Sequence, residues 1–343
     1  MYLSLYISIT FFSFWIIYKA NIIMYPSELI VFTSQDLIEC TNNFNQNNFI
    51  GFTQLGRFFR GNIHGQHVSL KILDNEKLEC LSSKNIDKYL IIKEEVKFWI
   101  NPVLKGHHNL VSLIGYCWEE DVKGVVYDLN SLDTLHTIMM KDSLNWIQRI
   151  NVIYELAMLL KFIHDQDKQN MALNISASHI LLDKDYKPKL FDLVPLNEVK
   201  MLKEQLTMST CYIDPYFSMR GGEWNRSCEV FSFGIVLLEL LTKRVSNIGR
   251  KEEHASINLN NLLHIWAKNE YKPNCSLVHK NLQEDWNYCA IDGVAITQLA
   301  MQCIEFFPSN RPSMSDVILS LENLSVFQRL DDVRPIKREK NFI

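Results

Sequence analysis

No two cysteines in this chain stand in C-x-x-C spacing, and no cysteine–histidine cluster has the spacing of a zinc site. That excludes a zinc module or a paired-thiol redox motif as the organising chemistry. Cys40, Cys80, Cys117, Cys211, Cys228, Cys275, Cys289 and Cys303 are scattered, a usage that suits a reducing compartment, and most are expected to be small apolar core residues. An excess of one charge is also missing. The 35 Lys and Arg against 39 Asp and Glu give a formal charge of -4, with both signs spread along the chain. Nothing electrostatic therefore points to nucleic acid as a partner. Internal repeats and low-complexity stretches are absent as well. Charge disappears altogether from Tyr2 to Tyr18, a run rich in Leu, Ile, Phe and Trp. The run sits at the lower limit for a spanning helix and lacks the basic start and small-residue cleavage site of a secretory signal. Two readings stand: a membrane anchor, or residues added by a misassigned start. As an anchor, with Lys19 following the run and no basic residue before it, the rest of the chain lies in the cytoplasm.

What is present suffices for a substantial core: 343 residues, 47% of them hydrophobic and 22% charged. Pro26 breaks any helix continuing from the apolar run. Thr33 and Asp36 have capping-box spacing and predict the start of a short helix. Val68 to Leu73 and Val122 to Leu129 read as buried strands, with a helix from Lys84 to Leu104 between them. From Leu144 onward, apolar-periodic stretches predict helices over 146–164, 228–243, 258–269 and 292–305. Strands come first and helices last, which predicts a small α+β lobe followed by a larger helical lobe.

Specific motifs then appear in a fixed order. Ile50-Gly51-Phe-Thr53-Gln-Leu-Gly56-Arg-Phe-Phe-Arg-Gly61 precedes Val68-Ser-Leu-Lys71. His107-His-Asn-Leu-Val-Ser-Leu-Ile-Gly-Tyr-Cys117 follows. Next come Asn174-Ile-Ser-Ala-Ser-His179-Ile-Leu-Leu-Asp183, Lys189-Leu-Phe-Asp192-Leu-Val194 and Asp214-Pro215-Tyr216. Glu229 to Thr242 and Asn310-Arg311-Pro312 complete the set. The series resembles a protein kinase over about residues 32 to 325: glycine-rich loop, strand lysine, catalytic loop, D-F-G and A-P-E in turn. Its flavour is similar to the plant receptor-like kinases, and within them to the small pseudokinase adaptors of plant immunity. The fold so implied is α+β and bilobal, with a small five-stranded-sheet N-lobe carrying the αC helix and a larger, mainly helical C-lobe. The boundaries expected are 1–24 for the apolar segment, 25–44 for a juxtamembrane linker and short helix, 45–128 for the N-lobe, 129–325 for the C-lobe and 326–343 for a basic tail.

Phosphoryl transfer needs phosphates covered by backbone amides, a lysine to hold them, oxygen ligands for magnesium and a carboxylate to orient the attacking hydroxyl. By the resemblance, Gly51 and Gly56 are two of three loop glycines, with Thr53 in the middle place. Lys71 is retained and pairs with an αC carboxylate, Glu95 or Glu94, either beside a nucleotide or as a structural ion pair. The distance from there to Asn109 is longer than the family's, which implies an insertion near Asn101-Pro102. Asp192 remains as one magnesium ligand. The second ligand place is His179, and imidazole is a poor partner for this hard ion. The base place is Asn174, whose amide cannot take a proton at pH 7. Loss of that base alone costs about 10²–10⁴ in rate. Ser176 stands for the catalytic-loop lysine, and Ala172-Leu173 for the His-Arg before the base.

Other letters are altered as well. Leu193-Val194 replaces Phe-Gly, and Glu229 replaces the aspartate that anchors the catalytic loop. Tyr216 replaces the A-P-E glutamate, so Arg311 needs another acceptor. The loop from Asp192 to Pro215 is short, with Thr207, Ser209 and Thr210 as candidate phosphate acceptors. The expectation is a pseudokinase adaptor or decoy, binding ATP and magnesium weakly if at all. Its partners are expected to be proteins, a plant nucleotide-binding leucine-rich-repeat immune receptor or active receptor-like kinases. The alternative is a weak or atypical Ser/Thr kinase.

Overall fold

The computed structural model describes residues 29–53, 55–82, 88–105, 107–166, 171–173, 175–191, 193–195, 211–220, 225–245 and 262–333. The N-terminal lobe is built on one sheet. Its strands are β1 (Ile30–Val31), β2 (Phe49–Thr53), β3 (Gly56–Ile63), β4 (Gln66–Leu73), β5 (Ser112–Trp118) and β6 (Lys123–Asp128), in the order β1-β5-β6-β4-β3-β2. The expected five strands are thus six. The extra strand, β1, pairs parallel with β5, Ile30 opposite Gly115 and Val31 opposite Tyr116. Gly115 makes room for it, since a Cβ there would lie 2.0 Å from the Ile30 carbonyl oxygen. The remaining neighbours are all antiparallel.

Alternation along these strands sorts side chains onto two faces. Phe59, Leu70, Ile72 and Val126 point to an outer cluster with Phe32 and Leu37. That cluster is covered by α1 (Ser34–Cys40). The Thr33–Asp36 spacing is realised as a capping box, each residue's side chain accepting the other's backbone N–H. The alternate residues Phe58, Val125 and Tyr127 point inward and belong to the main core of the molecule.

Two helices follow β4, α2 (Asn75–Ser82) and α3 (Lys88–Trp99). The single helix read from Lys84 to Leu104 is therefore shorter. It is described from Lys88, the expected start at Lys84 lying outside the described residues, and it stops at Trp99, where a turn around Asn101 takes over, with the Leu104 and Lys105 amides donating to the Asn101 carbonyl. Pro102 cannot supply an amide to continue the helix.

The C-terminal lobe starts with β7 (Ser131–Thr134), α4 (Leu135–Met140) and α5 (Trp146–His164). Two small ribbons lie at its cleft side: β7 with β9 (Ile180–Asp183) and β10 (Pro188–Leu190), and β8 (Met171–Leu173) with β11 (Leu193–Pro195). Then come α6 (Pro215–Arg220), α7 (Arg226–Thr242), α8 (Leu263–Glu270), α9 (Lys280–Gln283), α10 (Ala290–Cys303) and α11 (Met314–Glu322). α7 is buried nearly all round and is the axle of this lobe. A last helix, α12 (Ser325–Val333), lies where the tail was expected to begin. Asp292 holds its first turn, accepting from the Ser325 and Val326 amides, and Val326 is buried.

Of the seven described cysteines, Cys117, Cys228 and Cys303 are buried, and Cys40, Cys211, Cys289 and Cys275 are partly or fully exposed. The expectation that most line the core holds for three of them. Among the described residues no helix is long and apolar enough to cross a membrane, and residues 2–18 lie outside them.

Candidate active site

Lys71 sits on β4 facing inward, in register with Phe58 of β3 on one side and Val125 of β6 on the other. The α3 helix brings Glu95 to it. The ammonium donates to both carboxylate oxygens, at 3.1 and 3.2 Å, with both residues at most 1% exposed. Tyr127 of β6 donates its hydroxyl to the same carboxylate at 2.7 Å. Of the two nominated carboxylates, Glu95 is thus the one that pairs. A buried charge pair needs such additional hydrogen bonding, because desolvation of both ions opposes it.

The glycine-rich hairpin runs through β2 and β3, with Thr53 opposite Gly56. A Cβ at Gly56 would stand 1.9 Å from the Ile72 carbonyl oxygen, so the close approach of β4 requires glycine there. At Gly51 the nearest atom to such a Cβ is Thr134 Cγ2 at 3.7 Å, and a side chain has room. Thr53 is buried, and its hydroxyl has no hydrogen-bond partner among the described residues. The Leu55 carbonyl accepts from the Asp74 amide at 2.8 Å, which fastens the hairpin tip to the end of β4.

Asn174 and Asp192 lie outside the described residues, as do Thr207, Ser209 and Thr210. Their neighbours are described. A short 3-10 turn over Ala177–His179 has Ser176 at its start and His179 at its end. Both side chains are buried, and Ser176 Oγ and His179 Nδ1 share a hydrogen bond of 2.5 Å. The two side chains in the lysine and asparagine places of the catalytic loop therefore engage each other. Among the described residues no group of His, Cys, Asp and Glu is arranged to hold a metal ion. β11 pairs Leu193 with Leu173 and Val194 with Ala172, so extended backbone replaces the flexible glycine of D-F-G.

One residue pair was not singled out from the sequence. Phe58 stands in the last place of G-x-G-x-x-G-x-V, where the motif has valine, and Phe191 immediately precedes Asp192. Their ring centroids are 4.3 Å apart, and each is 1% exposed. Tyr127 continues the row on one side at 6.1 Å and His179 on the other at 6.4 Å. Kinase domains as a class take ATP with magnesium in the cleft that this row crosses. The signal was legible as a bulky aromatic at the valine place.

The acceptor that Arg311 needs is Asp214. The pair is bidentate, Nη1 to Oδ2 and Nη2 to Oδ1, both 2.7 Å, and fully buried at the side chains. The remaining donors go to the carbonyls of Glu305, Ser227 and Phe306. Tyr216 packs edge-on against Phe306 and Phe307. Glu229 accepts from His164 Nε2 at the end of α5, 2.7 Å away. Tyr212 donates its hydroxyl to Glu239 and accepts the Ala177 amide, which ties the catalytic turn to α7. Burial, then the Glu239 charge and hydrogen bond, push the Tyr212 hydroxyl well above its ordinary value.

Residues 44–320 match the protein kinase domain. The chain belongs to that family, within the group of plant receptor-like kinases. It is 31% identical over 316 residues to an EPD1-interacting receptor-like cytoplasmic serine/threonine-protein kinase of Nicotiana benthamiana, covering 87% of this chain and 65% of that protein. It is 29% identical over 327 residues to the Arabidopsis thaliana serine/threonine-protein kinase PBL13, covering 90% and 62%. With the serine/threonine-protein kinase BIK1 of the same plant the identity is 28% over 312 residues, covering 85% and 75%. The chain thus spans a little under two thirds of the length of the first two relatives.

Proposed function

We propose that this chain is a catalytically impaired kinase domain, a pseudokinase, that works as a signalling adaptor or decoy by binding other proteins. The observation that carries the reading is the buried Ser176–His179 hydrogen bond. Those two places supply a cation for the transferring phosphoryl and an oxygen ligand for magnesium in a working kinase. Here they hold a hydroxyl and an imidazole engaged with each other, beside an amide, Asn174, in the place of the base. Parts that hold the fold are in place: α7, the Arg311 anchorage and the Tyr212 bridge. A protein selected for its surface keeps such parts and can lose the rest.

The partners are proteins: an immune receptor of the nucleotide-binding, leucine-rich-repeat class, or active receptor-like kinases. One relative is named for its interaction with another protein, EPD1, which supports partner binding as a use of this scaffold. The chain acts on the cytoplasmic side, anchored at the plasma membrane where residues 2–18 insert. Thr207, Ser209 and Thr210 would be acceptors for another kinase.

The intact Lys71–Glu95 pair favours a second reading, a weak Ser/Thr kinase that binds ATP through Lys71 and Asp192. Restoring Asn174→Asp, Ser176→Lys and His179→Asn together separates the two. The adaptor reading expects the restored chain to stay far below a relative such as BIK1 in peptide phosphorylation, because Leu193-Val194 and the filled cleft remain. Restoration to a comparable rate would mean that only the catalytic loop separates this chain from an enzyme.

A further inference from the structure

We infer that the purine end of the nucleotide cleft is filled from within by Phe58 stacked on Phe191, and that this internal aromatic pair bars adenine nucleotides from the chain. The inference deepens the non-catalytic reading above but stands on a different part of the molecule. β3 alternates, so Phe59 goes to the outer cluster and Phe58 to the inner face. In register, Phe58 lies directly beside Lys71, the residue that would meet the phosphates. Phe191 rises from the other lobe, one residue before the magnesium aspartate place, on a segment held by the Leu190 amide donating to the Asn109 carbonyl. The rings meet at 4.3 Å with a tilt of 34°. That is close, tilted aromatic packing.

Ile50 of the N-lobe and Ala177, Ile180 and Leu181 of the C-lobe are all buried in the same cluster as the two rings. Ser69, on β4 two residues before Lys71, is fully buried and donates its hydroxyl to the Leu129 carbonyl at 2.9 Å. That hydrogen bond ties β4 to the segment joining the lobes. A close-packed interior admits a ligand only when a side chain leaves.

The test is binding of adenosine and of ATP with magnesium, by thermal shift and calorimetry, to the native chain, Phe58→Val and Phe191→Ser. Adenosine isolates the purine end, because it carries no phosphate. The native chain should show no saturable shift with either probe at millimolar concentration. At least one variant should melt cooperatively at a lower temperature and gain a saturable adenosine-dependent rise, with affinity improved by about tenfold or more over the native chain. Native binding as tight as either variant's would overturn the inference, whether or not the variants fold. So would two folded variants that gain nothing. The non-catalytic reading is judged separately, by peptide phosphorylation in Phe58→Val. Phosphate transfer there overturns the assignment of inactivity to the Ser176–His179 turn and leaves the aromatic barrier intact, whereas two folded variants that gain no adenosine binding overturn the barrier and leave that assignment intact.

Discussion

Arg311 shows how one residue can keep its job while its partner changes. The A-P-E carboxylate is gone, since Tyr216 stands in its place, yet the guanidinium is fully engaged by Asp214, two residues earlier, and by three carbonyls. Removing the carboxylate leaves a buried charge with only dipoles around it. Asp214→Ala should therefore lower stability by about 3–5 kcal/mol, read as a fall in the urea midpoint at unchanged slope. Tyr216→Glu in the native chain should add nothing, because Asp214 already takes the donors. A midpoint unmoved by Asp214→Ala would mean that the pair contributes little.

The same residue-level view separates what was legible in the sequence from what was not. Lys71, Gly56 and Asp192 are letters of a motif, and their places follow from order along the chain. Glu95 was one of two nominees, and only the rotation of α3 decides between them. The Ser176–His179 bond was hidden, because three-residue spacing is adjacent only once the 3-10 turn is known. Phe58 was in plain view and passed over, because a hydrophobic residue at a hydrophobic place looks conservative until its size is weighed against the cleft.

At the scale of elements, alternation and capping explain most of the N-lobe. β3 sends Phe58 and Phe59 to opposite faces, and the Thr33–Asp36 box starts α1 over the outer one. The extra strand β1 escaped the sequence reading because two residues carry no periodicity. What reveals it is Gly115, where β5 accepts a close neighbour. Within the C-lobe, α8 lies against α7, with His264 packed edge-on against Phe231 at 5.5 Å. Burial, then the charge of Lys268, pushes this imidazole down to about 4 from its ordinary 6.5, against a weaker opposing pull from Asp214. Burial, with the neighbouring His108, does the same to His107, also down to about 4. Unfolded, both rings titrate near 6.5, so between these values the unfolded chain binds more protons. The stability they contribute is fully present above about pH 6.5 and is lost as pH falls towards 4. Urea midpoints should decline over that window, and His264→Phe should flatten the decline without abolishing it, since His107 remains. A slope unchanged by His264→Phe would show that the ring is not held neutral by its site.

For the whole molecule, the central feature is one core shared by two lobes. Ile50, Phe58 and Tyr127 of the N-lobe belong to the same cluster as Ala177, Phe191 and the α7 side chains. On the inference drawn above, the Phe58–Phe191 pair takes up part of the cleft between the lobes. That arrangement suits a rigid surface offered to a partner better than a cleft that opens and closes with each turnover. The bilobal architecture was legible from the motif order and from strands preceding helices. The Phe58–Phe191 contact was not, because it joins residues far apart in sequence. The most direct test of the account is labelling of a mixed peptide substrate by the native full chain in stoichiometric excess, with magnesium and γ-labelled ATP, beside Lys71→Ala. The account predicts no label above that of Lys71→Ala, and Lys71-dependent transfer to peptide would contradict it.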